Sequence, residues 1–153
     1  MNKLIKYALG LLIATVLLAA CAASKDTRKT KRAISGDWVL KTVSTEGING
    51  KFTSKVLNEA DYNCFIGSIW HFGSNGTGSY TLDGMSKDCP SQKRAINWSL
   101  EKDTANRVQL KRMDDNSDYH LSVVTADKAN IQLRSEMIVN GHAAAIIYNF
   151  EKK

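Results

Sequence analysis

The sequence predicts an all-β fold, an eight-stranded antiparallel up-and-down barrel, with a β-sandwich as the alternative. From residue 36 onward, apolar and polar residues alternate with a period of two, which is typical of strands with one buried face. Short polar connections separate the alternating stretches, and links this short join only neighbouring antiparallel strands. Closing such a meander into a barrel removes its exposed edges, whereas a Greek-key sandwich needs long crossovers that the second half of the chain lacks.

The first predicted strand covers residues 37–44, in which Trp38 and Leu40 alternate with Val39. An irregular stretch follows to residue 63, with a short helical turn expected near residues 56–60. The other strands are expected at residues 68–72, 79–82, 95–100, 107–113, 119–124, 131–138 and 142–150, with a loop over residues 83–93.

Two Asn-Gly pairs predict tight hairpins. Asn75-Gly76 separates the second and third strands, and Asn140-Gly141 separates the last two. Asn-Gly suits a primed two-residue turn because both central residues of that turn take positive φ.

The N-terminus, residues 1–20, has the layout of a secretory signal peptide. Lys3 and Lys6 precede an uncharged stretch from Tyr7 to Ala20, shorter than the about 20 residues that a membrane-spanning helix needs. The segment Leu18-Ala19-Ala20-Cys21 resembles the lipobox of bacterial lipoproteins, in which the cysteine becomes the first residue and carries lipid. The resemblance implies a membrane anchor on Cys21, and ordinary secretion is the alternative. Ala22 after the cysteine favours the outer membrane of the cell envelope.

Residues 21–33 are predicted to form a lipidated flexible tether, which leaves residues 34–153 as one barrel domain. The tether is polar and basic and lacks aromatic residues. A solvated linker is one interpretation of its charge, and attraction to anionic lipid headgroups is the other. The formal net charge of the chain is +6, but the folded part shows no basic stripe interleaved with aromatic residues, so no nucleic-acid partner is expected.

Cys64 and Cys89 remain as an even pair once Cys21 is assigned to lipid. In an oxidising compartment such a pair predicts a disulfide, which would stabilise the fold by about 3.5 kcal/mol on the chain-entropy model. A metal site would need more ligands nearby, and a catalytic thiol would need a base.

The order of these features resembles the lipocalin-like lipoproteins common in Bacteroidetes: a lipobox, Gly36-Asp37-Trp38 opening the first strand, a Trp70-His71-Phe72 strand leading into Asn-Gly, two flanking cysteines and a later Trp98 strand. In true lipocalins, the tryptophan of the first signature closes one barrel end beneath a basic side chain from the last strand. The last predicted strand here, residues 142–150, contains no arginine for that role.

The sequence contains no constellation that indicates catalysis or cofactor binding. His71, His120 and His142 lie on separate predicted strands without partners at metal-ligand spacing. A Gly-rich phosphate loop, a nucleophile elbow and paired catalytic carboxylates are also missing. We therefore expect a protein that is not an enzyme and uses no metal or other cofactor.

Aromatic residues on the predicted inward face are the candidates for ligand contact. An eight-stranded barrel is just wide enough either to be packed solid or to hold one small ligand. The expected function is an envelope-anchored lipoprotein that binds a small apolar ligand, and the alternative is a periplasmic protein-interaction or inhibitor module with a solid core and an envelope protein as partner. The candidate ligand-binding residues are Trp38, Trp70, Phe72, Tyr80 and Trp98.

Overall fold

A computed structural model describes residues 25–48, 54–83, 87–101 and 106–153. The predicted signal peptide, residues 1–20, and the predicted lipidation residue Cys21 lie outside the described residues. Within the described ranges, no helix is long and apolar enough to cross a membrane.

The architecture is a closed antiparallel barrel of eight strands, in the order β1-β10-β9-β8-β7-β6-β5-β4, with a separate two-stranded ribbon of β2 and β3. Every predicted strand has a counterpart, so the prediction of an up-and-down barrel is confirmed and the sandwich alternative is wrong. The strands are β1 (Gly36–Glu46), β2 (Lys55–Val56), β3 (Ala60–Asp61), β4 (Ile69–Phe72), β5 (Thr77–Asp83), β6 (Ser91–Leu100), β7 (Arg107–Arg112), β8 (Asp118–Ala126), β9 (Asn130–Val139) and β10 (His142–Lys152).

Strand β1 closes the barrel because it pairs on both sides. It pairs with β10 from Trp38↔Lys152 to Glu46↔Ala145, and with β4 from Gly36↔Phe72 to Val39↔Ile69. A register shift at Leu40/Thr42 bends β1 between these neighbours. We call the barrel end at Glu46 the mouth and the end at Gly36 the closed end.

The two Asn-Gly pairs form different turns. Asn140 and Gly141 both have positive φ, 52° and 79°, which confirms the primed turn predicted there. The same prediction for Asn75-Gly76 was wrong, because only Gly76 has positive φ. Gly76 N–H donates to the Gly73 carbonyl (3.0 Å), and the Asn75 side chain accepts from the Thr77 N–H (3.0 Å). Asn75 thus serves as a hydrogen-bond acceptor in a longer turn.

Two local predictions near the mouth were also wrong. Residues 56–60, expected to be helical, belong to the ribbon of β2 and β3, which is followed by a 3-10 helix, Tyr62–Phe65. Strand β6 begins at Ser91 instead of residue 95, since Asp83↔Ser91 pairing extends the ladder with β5. The expected 83–93 loop is correspondingly shorter.

Residues 25–34, most of the predicted flexible tether, form a helical segment. The segment is held at the closed end, where Ile34 is fully buried and the Lys31 ammonium lies 5.7 Å from the centroid of the Trp98 ring. Its last carbonyls are satisfied by side chains: Trp38 Nε1 donates to the Ile34 carbonyl (2.7 Å) and Ser35 Oγ donates to the Lys31 carbonyl (2.8 Å). The partners that hold the segment, Trp38 and Trp98 among them, lie outside it.

Trp38 has a basic partner from the last strand, contrary to the expectation drawn from residues 142–150. Strand β10 continues to Lys152, whose ammonium lies 4.2 Å from the centroid of the Trp38 ring and donates to the Ser35 carbonyl (3.1 Å). Gly36 makes room for this lysine, because a Cβ there would lie 2.1 Å from Lys152 Nζ. Gly36, Trp38 and Lys152 together seal the closed end.

The predicted disulfide is present. Cys64 in the 3-10 helix is bonded to Cys89 in the loop before β6, with a Cα–Cα distance of 5.3 Å. The bond fixes the segment that follows the ribbon to the neighbouring loop at the mouth.

We expect the double variant Cys64→Ser/Cys89→Ser to lose about 3.5 kcal/mol of unfolding free energy, because the unfolded chain regains the freedom of the closed loop. Urea titration monitored by tryptophan fluorescence measures this loss. A reductant should destabilise the wild-type protein and leave the variant unchanged. An unaltered melting temperature of the wild-type protein on reduction would contradict the structural role.

Candidate functional site

The lower half of the barrel interior is filled by aromatic side chains. All five predicted ligand-contact residues, Trp38, Trp70, Phe72, Tyr80 and Trp98, are buried. The Trp70 ring stacks on Tyr80 with centroids 4.6 Å apart, and Phe72 meets Trp98 edge-on at 5.4 Å. These four rings therefore contact one another, whereas Trp38 lies at the closed end beneath Lys152.

The polar atoms of the buried indoles are satisfied within the protein. Trp70 Nε1 donates to Ser68 Oγ (2.8 Å), and Trp98 Nε1 donates to the Gly73 carbonyl (2.9 Å). Phe150 and Phe65, of which the sequence analysis did not consider Phe65, complete the cluster around Trp70. The aromatic half of the interior is a packed core.

The upper half is occupied by a turn of the ribbon. Leu57 and Asn58, between β2 and β3, both have φ of 52°, and the Glu59 N–H donates to the Val56 carbonyl (3.0 Å). Left-handed φ is unfavourable for a leucine, so this turn needs support from its surroundings. Leu57 is buried, and its carbonyl accepts a hydrogen bond from Arg112 Nη1 (3.1 Å).

This turn places the Glu59 carboxylate inside the mouth, where its side chain is 4% exposed. Arg94 Nε donates to it at 2.6 Å, and the Tyr80 hydroxyl and the Gln92 amide also donate to it. The Arg112 guanidinium lies 4.0 Å away. A buried carboxylate is tolerated only when it is paired and hydrogen-bonded, and the three donors together with the nearby Arg112 charge meet that condition.

The charges of this cluster are fixed by their neighbours. Hydrogen bonding to Asp114 and proximity to Glu59 raise the pKa of Arg112. The same Arg112 contact lowers the pKa of Asp114 to about 2. Burial, followed by the hydrogen bond to Glu59, raises the pKa of Tyr80. We call Glu59, Gln92, Arg94, Arg112 and Asp114 the mouth cluster.

A cavity of about 250 Å³ remains beside the mouth cluster. Ribbon residues 54–58 form one side, and strands β8 to β10 form the other with Leu121, Met137 and Ile146. Tyr119 also lines it, and the Tyr119 hydroxyl is a buried side-chain polar atom without a hydrogen-bond partner among the described residues. None of the five predicted aromatic residues lines this cavity.

An unpartnered buried hydroxyl costs free energy that a ligand acceptor or donor would recover. The cavity wall also carries the polar residues Ser54, Lys55, Asn58, Asp118, His120 and Ser135. Tyr148 is largely buried there, and burial raises the pKa of its hydroxyl. Within the described ranges, no group of three or more His, Cys, Asp or Glu side chains is arranged to hold a metal ion. The cavity therefore offers both apolar side chains and several hydrogen-bonding groups to a small molecule.

Sequence reasoning missed the mouth cluster, and it considered Tyr119 as a residue that could line a cavity without selecting it as a candidate. The signal for the arginines was present, because Arg94 continues the inward alternation of Ile96 and Trp98, and Arg112 that of Val108 and Leu110. Glu59 gave no such signal, because it lies in the turn between β2 and β3, which are only two residues long.

Comparisons with known proteins agree with this architecture. A family model described as "Lipocalin-like domain" matches residues 34–133. Among solved structures, lobster apocrustacyanin A1 is similar, with a TM-score of 0.50 and 12% sequence identity over 86% of this chain and 68% of that chain. No curated protein matches the sequence.

We expect Glu59→Ala to lower the free energy of unfolding by about 3 kcal/mol, because it removes the buried carboxylate that Arg94 and Arg112 share and leaves only Asp114 and Asp115 at the rim to balance them. The matched control is Glu136→Ala, whose side chain is 67% exposed and pairs with Arg134 at 3.7 Å. That change should cost under about 1 kcal/mol. Urea titration of both variants measures the difference, and equal losses would refute the buried role of Glu59.

Proposed function

The chain belongs to the lipocalin-like domain family, and we propose that it is an envelope-anchored lipoprotein whose barrel binds one small, largely apolar molecule without catalysis. The observation that carries the proposal is the mouth cavity, which combines the apolar side chains of Leu121, Met137 and Ile146 with the unpartnered Tyr119 hydroxyl. Small-molecule sites are concave and combine apolar side chains with placed polar groups that fix the orientation of the ligand.

The size of the cavity limits the ligand. An apolar cavity of about 150 Å³ accommodates benzene, so a cavity of about 250 Å³ suits a molecule of one substituted ring. Long acyl chains do not fit this volume, and the aromatic core below leaves them no continuation. The Tyr119 hydroxyl selects for a ligand with one hydrogen-bonding group.

The proposal of an envelope location rests on the sequence of the N-terminus and on the disulfide. The lipobox-like segment ending at Cys21 implies lipid attachment, as in the Bacteroidetes lipoproteins that the sequence resembles. The Cys64–Cys89 bond fits an oxidising compartment outside the cytoplasm. We propose the outer membrane as its location, since Ala22 follows the cysteine.

A protein-interaction or inhibitor module remains the second candidate. The packed aromatic half and the closed mouth cluster favour it, because together they leave little interior volume for a ligand. An envelope protein would then be the partner. The two functions differ in whether the mouth cavity takes up a small molecule.

We expect acetophenone to bind saturably and phenylethane to bind more weakly, because only acetophenone can accept from the Tyr119 hydroxyl. Tyr119→Phe should weaken acetophenone binding about fivefold, the equivalent of one neutral hydrogen bond, and leave phenylethane binding unchanged. Calorimetric titration measures both affinities.

Ser135→Phe should block both probes, since Ser135 lines the cavity, whereas Ser122→Phe places the same ring on the outer wall and should leave binding intact. If neither probe binds the wild-type protein at millimolar concentration, the ligand-binding function fails and the interaction module becomes the better proposal.

We expect Cys21→Ser to abolish lipid attachment, because serine lacks the thiol that accepts the diacylglyceryl group. Metabolic labelling with a fatty-acid analogue should mark the wild-type chain and leave Cys21→Ser unlabelled. Cys64→Ser/Cys89→Ser is the control and should remain labelled. Equal labelling of the wild-type chain and Cys21→Ser would disprove the anchor.

A further inference from the structure

The helical segment presents one basic face to solvent. Lys25, Arg28, Lys29 and Arg32 follow a spacing of three and four residues, which places them on the same side of a helix. All four are exposed, whereas Ile34 on the barrel side is fully buried. We call these four residues the basic face.

The basic face continues onto the barrel. A cavity of about 690 Å³ lies between the basic face and the turn after β8, with Ala33 and Ala126 in its wall and Lys128 adding another cation. The one carboxylate in this lining, Asp127, accepts backbone N–H groups of Ala129 and Asn130 at 2.7 Å each. These contacts lower the pKa of Asp127 and hold its charge within the turn.

The cations of the basic face have no ion-pair partner among the described residues. Elsewhere on the barrel, the exposed Lys41 and the half-buried Arg134 pair with carboxylates. Like charges at this helical spacing repel one another and destabilise the helix, so binding of an external polyanion would relieve this repulsion.

The direction of the basic face is fixed relative to the barrel. Hydrogen bonds from Trp38 and Lys152 hold the end of the helical segment at the closed end, away from the mouth. Cys21 precedes Lys25 by four residues, a distance of at most about 14 Å along the chain. A lipid on Cys21 would therefore keep the basic face close to the membrane surface.

We propose that the basic face docks on an anionic phospholipid surface, so that the closed end faces the bilayer and the mouth points away from it. This inference rests on the proposed anchor at Cys21. Phosphate-bearing headgroups supply the negative charge and enter the space between Arg28, Arg32 and Lys128. Docking leaves the mouth cavity open to ligands from the aqueous side.

The test is lysine footprinting of the full lipid-modified chain in vesicles of phosphatidylcholine, with and without added phosphatidylglycerol. An amine-reactive ester should label Lys25 and Lys29 about tenfold more slowly in the anionic vesicles, and high salt should remove the protection. Lys93 and Lys111, on the outer wall, should label equally in both vesicles.

Charge reversal supplies the matched variants. Arg28→Glu/Arg32→Glu should abolish the protection of Lys25 and Lys29, whereas Lys93→Glu/Lys111→Glu, with the same change in net charge, should retain it. An intact Cys64–Cys89 bond and an unchanged circular dichroism spectrum confirm that the variants are folded.

The outcomes separate docking from anchoring. A chain that fails to float with phosphatidylcholine vesicles overturns the anchor itself. A chain that floats but labels equally in both vesicle types overturns docking alone. Protection that arises only in native envelopes, and never in phosphatidylglycerol vesicles, would assign the basic face to an acidic protein and also overturn the proposal.

Discussion

The narrow interior of an eight-stranded barrel is the constraint on which the rest of this structure depends. Such a barrel has room for side chains and little else. In the lower half, stacked rings such as Trp70 and Tyr80 fill that space. In the upper half, the ribbon inserts Glu59, and its charge can stay there only because Arg94 and other donors surround it. The cavity at Tyr119 is the volume that these two packing solutions leave over.

The mouth cluster also explains an unfavourable piece of backbone. A left-handed Leu57 costs free energy, and a buried arginine normally does so too. Here the strained turn and the buried arginine stabilise one another. The Leu57 carbonyl accepts a hydrogen bond from Arg112, and Glu59, two residues later, contributes negative charge beside the same guanidinium. The Cys64–Cys89 bond then ties the chain that follows the ribbon to the loop before β6.

The barrel could be predicted from sequence because period-two alternation is a local property of strands such as β6 and β10, and the even cysteine pair indicated the disulfide. The ribbon could not be predicted in this way, because strands of two residues are too short to show an alternation of apolar and polar residues. The helical segment depends on distant partners, Trp38 and Lys152, that its own polar composition does not reveal. At the site, alternation marks which residues face inward, but only cross-strand register shows that a residue such as Tyr119 borders empty space.

The way β1 joins the barrel has a mechanical consequence. A force applied to the chain on its N-terminal side reaches the barrel at Gly36, where β1 begins. Because β1 is paired with β4 on one side and β10 on the other, this force acts along the strand and loads many hydrogen bonds in shear at once. Peeling would break the same bonds one after another at a much lower force. The closed end therefore resists a pulling force on the N-terminal side of the chain, and such a force does not act on the mouth.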